Sequence, residues 1–142
     1  RDYEVRKDAR RFENWECFYA GKLGLGVAID QYLALGEAAI SARIIDLGAE
    51  LRRGLRAIDG VTVHDRGPEQ SGIVTFSVAG LDPKNIRDAL RAQAINVSVS
   101  SGDYSQMDLI KRGLASVVRA SVHAYNTEAE VQRFCRAIGH LG

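Results

Sequence analysis

Arg119 is the residue of this 142-residue sequence best placed to do chemistry. It lies in the run Val118-Arg119-Ala120-Ser121-Val122-His123-Ala124-Tyr125, where small apolar residues alternate with polar or larger ones. A strand turns successive side chains to opposite faces, so Val118, Ala120, Val122 and Ala124 are expected on one face and Arg119, Ser121, His123 and Tyr125 on the other. A guanidinium is planar, permanently charged and forked, and it matches a carboxylate through two parallel hydrogen bonds, which an ammonium does not. The pattern predicts a carboxylate-binding strand, with Arg119 as the anchor and the polar face as the wall of a site. The plainer alternative is a structural salt bridge, or an arginine stem packed along a sheet edge. His123 is the second candidate, able to touch a ligand or another domain from the same face; the plainer alternative is a hydrogen-bonded structural histidine.

The neighbouring polar residues fit structure better than reaction. Thr127 and Glu130 stand three apart, as a capping box requires, and Val131, Phe134, Cys135 and Ile138 then recur at helical spacing. Asn126 and Thr127 read as turn and cap, and no base stands at a recognisable spacing to activate Ser121. No catalytic residue is therefore assigned to this chain. Metal binding is not expected either, because no H-E-x-x-H, paired-cysteine or carboxylate constellation of ligand spacing occurs. Gly21, Gly24 and Gly26 match no phosphate-loop pattern and read as helix entry and close packing.

The elements that must hold Arg119 are legible upstream. Leu23 to Leu35 reads as a helix stopping at Gly36, and Ile40, Ile44, Leu47, Leu51, Leu55 and Ile58 mark a long amphipathic helix closed by Asp59-Gly60. Val61 and Val63, then Val74, Phe76 and Val78, alternate with polar residues as two antiparallel strands. Asp82-Pro83 is a helix start, with the carboxylate at the N-cap and proline at the first helical position. Ile95, Val97 and Val99 alternate as a third strand, and residues 118–125 form a fourth. The order α, α, β, β, α, β, β, α predicts an α+β fold: an antiparallel-rich sheet of about four strands with helices on one face and the other face free for a partner. Residues 100–113 form a polar loop long enough to contribute to a site.

Composition bounds the function classes. Nineteen basic against eighteen acidic residues leave a net charge of +1, with no long block of either sign after residue 13, so nucleic acid is not an expected partner. Hydrophobic residues make up 46% and charged residues 26%, which is ordinary globular composition, and no membrane span or signal-peptide core appears. Cys17 and Cys135 stand singly in helical patterns, as idle thiols of a reducing compartment do, and a cytoplasmic location is expected.

The motif Arg-Ala-Ser-x-x-x-Tyr-Asn-Thr-x-x-Glu over residues 119–130 resembles the small domain of class V pyridoxal-phosphate enzymes, the group of cysteine desulfurases, isopenicillin N epimerase-like proteins and aminotransferase relatives. Arg11-Phe12-Glu13, the run Gly24 to Asp30 and Leu35-Gly36 are similar to that family's passage from large to small domain. The resemblance implies the small domain of a fold-type I enzyme: residues 1–22 as an arm from a large cofactor-binding domain and residues 23–142 as the C-terminal small domain. The opening on Arg1 and the single methionine, Met107, agree with a fragment or processed product. By the same resemblance Arg119 binds the substrate carboxylate, and the parent is a homodimer that carries pyridoxal 5'-phosphate and acts on an amino acid.

The family's Schiff-base lysine lies upstream of the Arg-Phe-Glu passage, and Lys7, Lys22, Lys84 and Lys111 fit no such motif. The chain alone is therefore expected to be inactive and to hold no cofactor covalently; its cofactor contacts are left unassigned. Two departures narrow the subfamily towards the isopenicillin N epimerase-like or aminotransferase-like branch. Residues 100–116 lack the nucleophilic cysteine of desulfurases, which argues against persulfide chemistry, and Asn14-Trp15 replace a Gly-Thr pair whose threonine approaches the partner subunit's cofactor phosphate. The rival readings are a stand-alone module binding a small carboxylate for regulation and a structural dimerisation domain.

Overall fold

The computed structural model describes residues 3–14 and 16–141, so expectations resting on Arg1, Asp2 and Trp15 lie outside the described residues. The chain divides into two compact units, one ending at Glu37 and one beginning at Ala38. In the first, Asp8 accepts the Arg10 N–H at 3.0 Å and caps a short 3-10 turn, Ala9–Phe12. Helix α1 (Tyr19–Leu35) starts at Tyr19 rather than Leu23 and stops at Gly36, whose φ of +92° suits glycine and whose N–H reaches the Tyr32 carbonyl at 3.1 Å. None of its side chains is buried, although Leu23, Leu25, Val27, Leu33 and Leu35 are apolar.

The second unit is built on a four-stranded antiparallel sheet. Its strands β1 (Val61–Val63), β2 (Ile73–Val78), β3 (Ser98–Ser101) and β4 (Ser116–Ser121) lie in the order β1-β2-β4-β3. Helices α2 (Glu37–Arg56), α3 (Pro83–Arg91) and α4 (Glu128–Gly139) follow the predicted periodicities, burying Leu47, Leu51 and Leu55, then Ile86 and Leu90, then Val131, Phe134 and Ile138. These form one core with Val74, Phe76, Val78, Val118 and Ala120 from alternate strand positions. Phe76 and Phe134 meet edge to face, with ring centroids 5.9 Å apart. The predicted starts hold: Asp82 accepts the Lys84 N–H at 2.7 Å, and Thr127 and Glu130 close a capping box.

Three expectations are corrected. Strand β3 begins at Ser98, not Ile95, because α3 ends through Ala94 in the left-handed region (φ 57°) with the Ile95 N–H on the Leu90 carbonyl at 3.0 Å, so these residues close a helix. Strand β4 ends at Ser121, not Tyr125. The Val122 N–H still reaches the Gly72 carbonyl at 3.0 Å, but Asn126 then folds the chain, accepting the His123 N–H on Oδ1 at 2.8 Å and donating its own N–H to the His123 carbonyl at 2.9 Å. The sheet face away from the helices is not wholly free. Val117, turned to that face by alternation, is fully buried, and Leu109 of the β3–β4 connection is buried too. That connection reaches across β4 and β2, with Arg112 Nη2 donating to the His64 carbonyl at 2.6 Å.

Two glycines let α2 lie close on the start of β2. A Cβ on Gly72 would come 2.5 Å from Ile44 Cγ2 and 2.8 Å from the Val122 carbonyl oxygen, and one on Gly48 would come 2.9 Å from the Ser71 carbonyl oxygen. Gly72→Ala is expected to destabilise the fold by about 1–3 kcal/mol through overpacking, read as a lowered midpoint in urea.

Candidate functional site

Arg119 sits in the middle of a cross-strand row. It pairs with Thr75 of β2 on one side and Ser98 of β3 on the other, and His64 extends the row beyond Thr75 through its N–H to the Thr75 carbonyl at 2.8 Å. The predicted exposure pattern holds along the chain: Val118 and Ala120 are buried, while Arg119, Ser121, His123 and Tyr125 are exposed. Arg119 makes no ion pair among the described residues, which leaves its fork available to an anion. The structural-salt-bridge alternative thus finds no partner there.

His123 lies past the end of β4, in the turn that leads to α4. Its ring stacks on Tyr125, with centroids 4.6 Å apart and planes at 23°, and its backbone serves Asn126. Both site candidates are on the open surface, but the strand ladder that fixes Arg119 does not extend to His123.

Beside the row lies a network that sequence reasoning missed. Arg52 of α2 is buried, donating from Nε to Asp65 Oδ2 at 2.6 Å and from Nη2 to the Ser71 and Ile73 carbonyls at 2.6 and 2.8 Å. Asp65 Oδ1 accepts both the Thr75 N–H at 2.8 Å and the Thr75 hydroxyl at 2.7 Å. Arg52 is an ordinary cation on an amphipathic helix in sequence, and only its pairing with a residue 13 positions on reveals it.

His64 bonds Ser77 Oγ through Nε2 at 2.9 Å, and burial followed by the nearby Arg112 guanidinium lowers its pKa from the ordinary 6.5. A histidine with a lowered folded pKa favours the neutral form. Its contribution to stability is therefore present above the ordinary value and declines as pH falls below it. Arg112 itself donates to Asp108 at 3.1 Å, and its Nε is buried without a partner among the described residues.

At the start of α4, Arg43 of α2 donates to Glu128 Oε1 at 2.5 Å and to the Asn126 carbonyl at 2.9 Å. The Arg43 hydrogen bond, then the backbone N–H at the helix start, hold the Glu128 carboxyl down from 4.5 to about 2. The ionised pair is thus complete above the ordinary carboxylate range and is lost as pH falls towards that value. Arg43→Met is expected to return the Glu128 midpoint upward, towards the ordinary range, in an NMR pH titration of its side-chain carbonyl carbon.

Two clefts flank these residues. One of about 430 Å³ is lined by Arg52, His64, Asp65, Thr75, Asp108 and Arg112. The other, about 360 Å³, opens where residues 94–97 diverge from the end of β4, with Ser121, Tyr125, Asn126 and Glu130 on its wall. Arg119 lines neither. Cys135 packs against α2, where a Cβ on Gly54 would come 2.6 Å from its sulfur, and burial raises its pKa. Such a thiol is held as the thiol, away from the β3–β4 connection, which carries no cysteine.

The match to aminotransferase class-V covers residues 2–134. The chain belongs to that family. Among curated relatives, a probable cysteine desulfurase of Xylella fastidiosa is 30% identical over 90% of this chain and 30% of its own length. A probable hercynylcysteine sulfoxide lyase of Mycobacterium tuberculosis is 32% identical over 87% of the chain and 31% of its own length. Among solved structures, the apo cysteine desulfurase of Thermococcus onnurineus NA1 superposes with a TM-score of 0.85 at 26% identity, covering 98% of this chain and 35% of that one. A variant of C-DES with glycine covalently linked to its PLP cofactor shares the fold, with a TM-score of 0.77 at 23% identity over 94% of this chain and 32% of that one. This class-V chain spans about a third of the length of the relatives it matches.

Proposed function

We propose that this chain is the C-terminal small domain of a longer, homodimeric pyridoxal-phosphate enzyme acting on an amino acid, and that Arg119 grips the substrate's carboxylate. The observation that carries the reading is an exposed arginine whose backbone is held at mid-strand and whose guanidinium is unpaired among the described residues, on a class-V fold. A planar guanidinium grips a carboxylate through two parallel hydrogen bonds, and a carboxylate held this way brings the rest of the amino acid to one place. When bound, pyridoxal phosphate supplies the electron sink. In the row His64, Thr75, Arg119 and Ser98 the Thr75 hydroxyl is given to Asp65 and the His64 ring to Ser77, so Arg119 is its cation for an anion, and the row contains no amine to bond an aldehyde cofactor. The covalent hold on the cofactor is therefore assigned to the rest of the longer protein, together with the choice of which substrate bond breaks.

Two further observations support a larger whole. The relatives are about three times as long as the matched chain, and α1 buries none of its apolar side chains. Several of the similar curated proteins are called probable cysteine desulfurases, yet residues 102–113 of this chain offer Tyr104 and Ser105 hydroxyls and no thiol. The reading is accordingly an amino acid transformation without a persulfide, in the aminotransferase-like or isopenicillin N epimerase-like branch. The test is the intact mass and visible spectrum of the native gene product. A mass well above 15.5 kDa with a yellow chromophore is expected; a colourless product of 15.5 kDa would overturn the reading in favour of a stand-alone carboxylate-binding module.

A further inference from the structure

Thr75 and Arg119 face each other in the register of β2 and β4. The Thr75 N–H goes to Asp65 and its carbonyl accepts the His64 N–H, so both backbone groups turn towards β1 and away from Arg119. The Val122 N–H on the Gly72 carbonyl, three pairs along, gives the same phase for the ladder. Thr75 and Arg119 are thus a non-hydrogen-bonded pair, the class in which Cα atoms are about 4.5 Å apart and side chains lie closest. That pairing class sets the Arg119 stem beside the Thr75 side chain.

That side chain is unusually well fixed. Its β-branch restricts χ1, and its hydroxyl is tied to Asp65 Oδ1 at 2.7 Å. Asp65 is in turn clamped by Arg52 at 2.6 Å, and Arg52 by the Ser71 and Ile73 carbonyls. A helix on one side of the sheet thereby sets a wall for a cation on the other.

We propose that Asp65, clamped by buried Arg52, is a positioning residue for Arg119, acting through Thr75 to hold the guanidinium ready for a carboxylate. The inference rests on the reading of Arg119 as the substrate anchor. Loss of the tie frees the Thr75 wall and returns rotamer freedom to Arg119, a cost then met on each binding event.

The test uses the full-length holoenzyme, titrated with each of the twenty standard amino acids and followed by the change in visible absorbance. Thr75→Val keeps the shape, leaves the Arg52–Asp65 pair intact and removes only the hydroxyl. It is expected to raise the half-saturating concentration of the responding amino acid about 3- to 10-fold, with cofactor content and maximal spectral change unaltered. Thr75→Ser is expected to restore wild-type binding, and Thr75→Val is expected to add no further loss in an Arg119→Lys background. Asp65→Asn should act in the same direction as Thr75→Val, which carries the test alone if the Asp65 variant does not fold. Should Thr75→Val lower the melting temperature but leave half-saturation unchanged while Arg119→Lys raises it, the network is purely structural and the proposal falls, with the Arg119 reading intact. No response to Arg119→Lys, or no amino acid recognised by the wild type, overturns both.

Discussion

Replacing Asp65 by alanine is expected to destabilise the domain by about 3–5 kcal/mol, the range for removing one partner of a buried ion pair. The side chains of Arg52 and Asp65 are only 4% and 10% exposed, so the guanidinium left behind is poorly solvated and keeps only the Ser71 and Ile73 carbonyls as protein partners. Thr75 loses the acceptor of both its N–H and its hydroxyl at the same time. In a domain of this size a loss of that order lowers the melting temperature by more than about 10 °C. The double variant Arg52→Met, Asp65→Leu is expected to recover only the part of the loss that comes from the stranded charge, because the Thr75 N–H and hydroxyl and the Ser71 and Ile73 carbonyls lose their partners in it as well. Thermal and urea unfolding of the two variants check this. A loss below about 1 kcal/mol for Asp65→Ala would give the pair no more weight than a surface bridge.

Arg119→Lys in the full-length enzyme is expected to weaken amino acid binding about 10- to 100-fold, since hydrogen bonds to charged groups contribute about 1.5–3 kcal/mol and lysine keeps the charge but loses the fork. Cofactor content should be unchanged. Arg119 is exposed and unpaired among the described residues, so the variant should melt with the wild type. The two measurements are amino acid titration and the cofactor-to-protein ratio by absorbance. Equal losses of amino acid and cofactor would remove Arg119 from the substrate side of the site. The two predictions differ in their main readout: Asp65→Ala chiefly moves stability, with only the few-fold loss of affinity expected through Thr75, whereas Arg119→Lys moves affinity and leaves stability unchanged.

The family motif that flags Arg119 is local, and so are the helix starts at Asp82-Pro83 and Thr127, because capping depends on residues within one turn. The helical stripe Leu47, Leu51, Leu55 and the alternation Val74, Phe76, Val78 needed only periodicity to identify the core face. Strand ends were less legible. Ile95 and Val97 alternate like a strand, yet the Ala94 turn uses Ile95 to close a helix, and Asn126 turns the chain at His123 before the alternation runs out. In each case a backbone hydrogen bond to a particular neighbour overrode a pattern that two structures share.

By itself, then, the sequence determined the α+β class, the helix-facing side of each strand, and Arg119 as an outward cation, since all three follow from period and from local backbone chemistry. The tertiary structure decided the register that sets Thr75 and Ser98 beside Arg119, the burial of Arg52 with Asp65, and the fold of the β3–β4 connection over Val117 as far as His64. The physical reason is range. Alternation says which face a side chain takes but not which residue stands opposite, and a charge becomes a buried partner only when elements distant in sequence close over it.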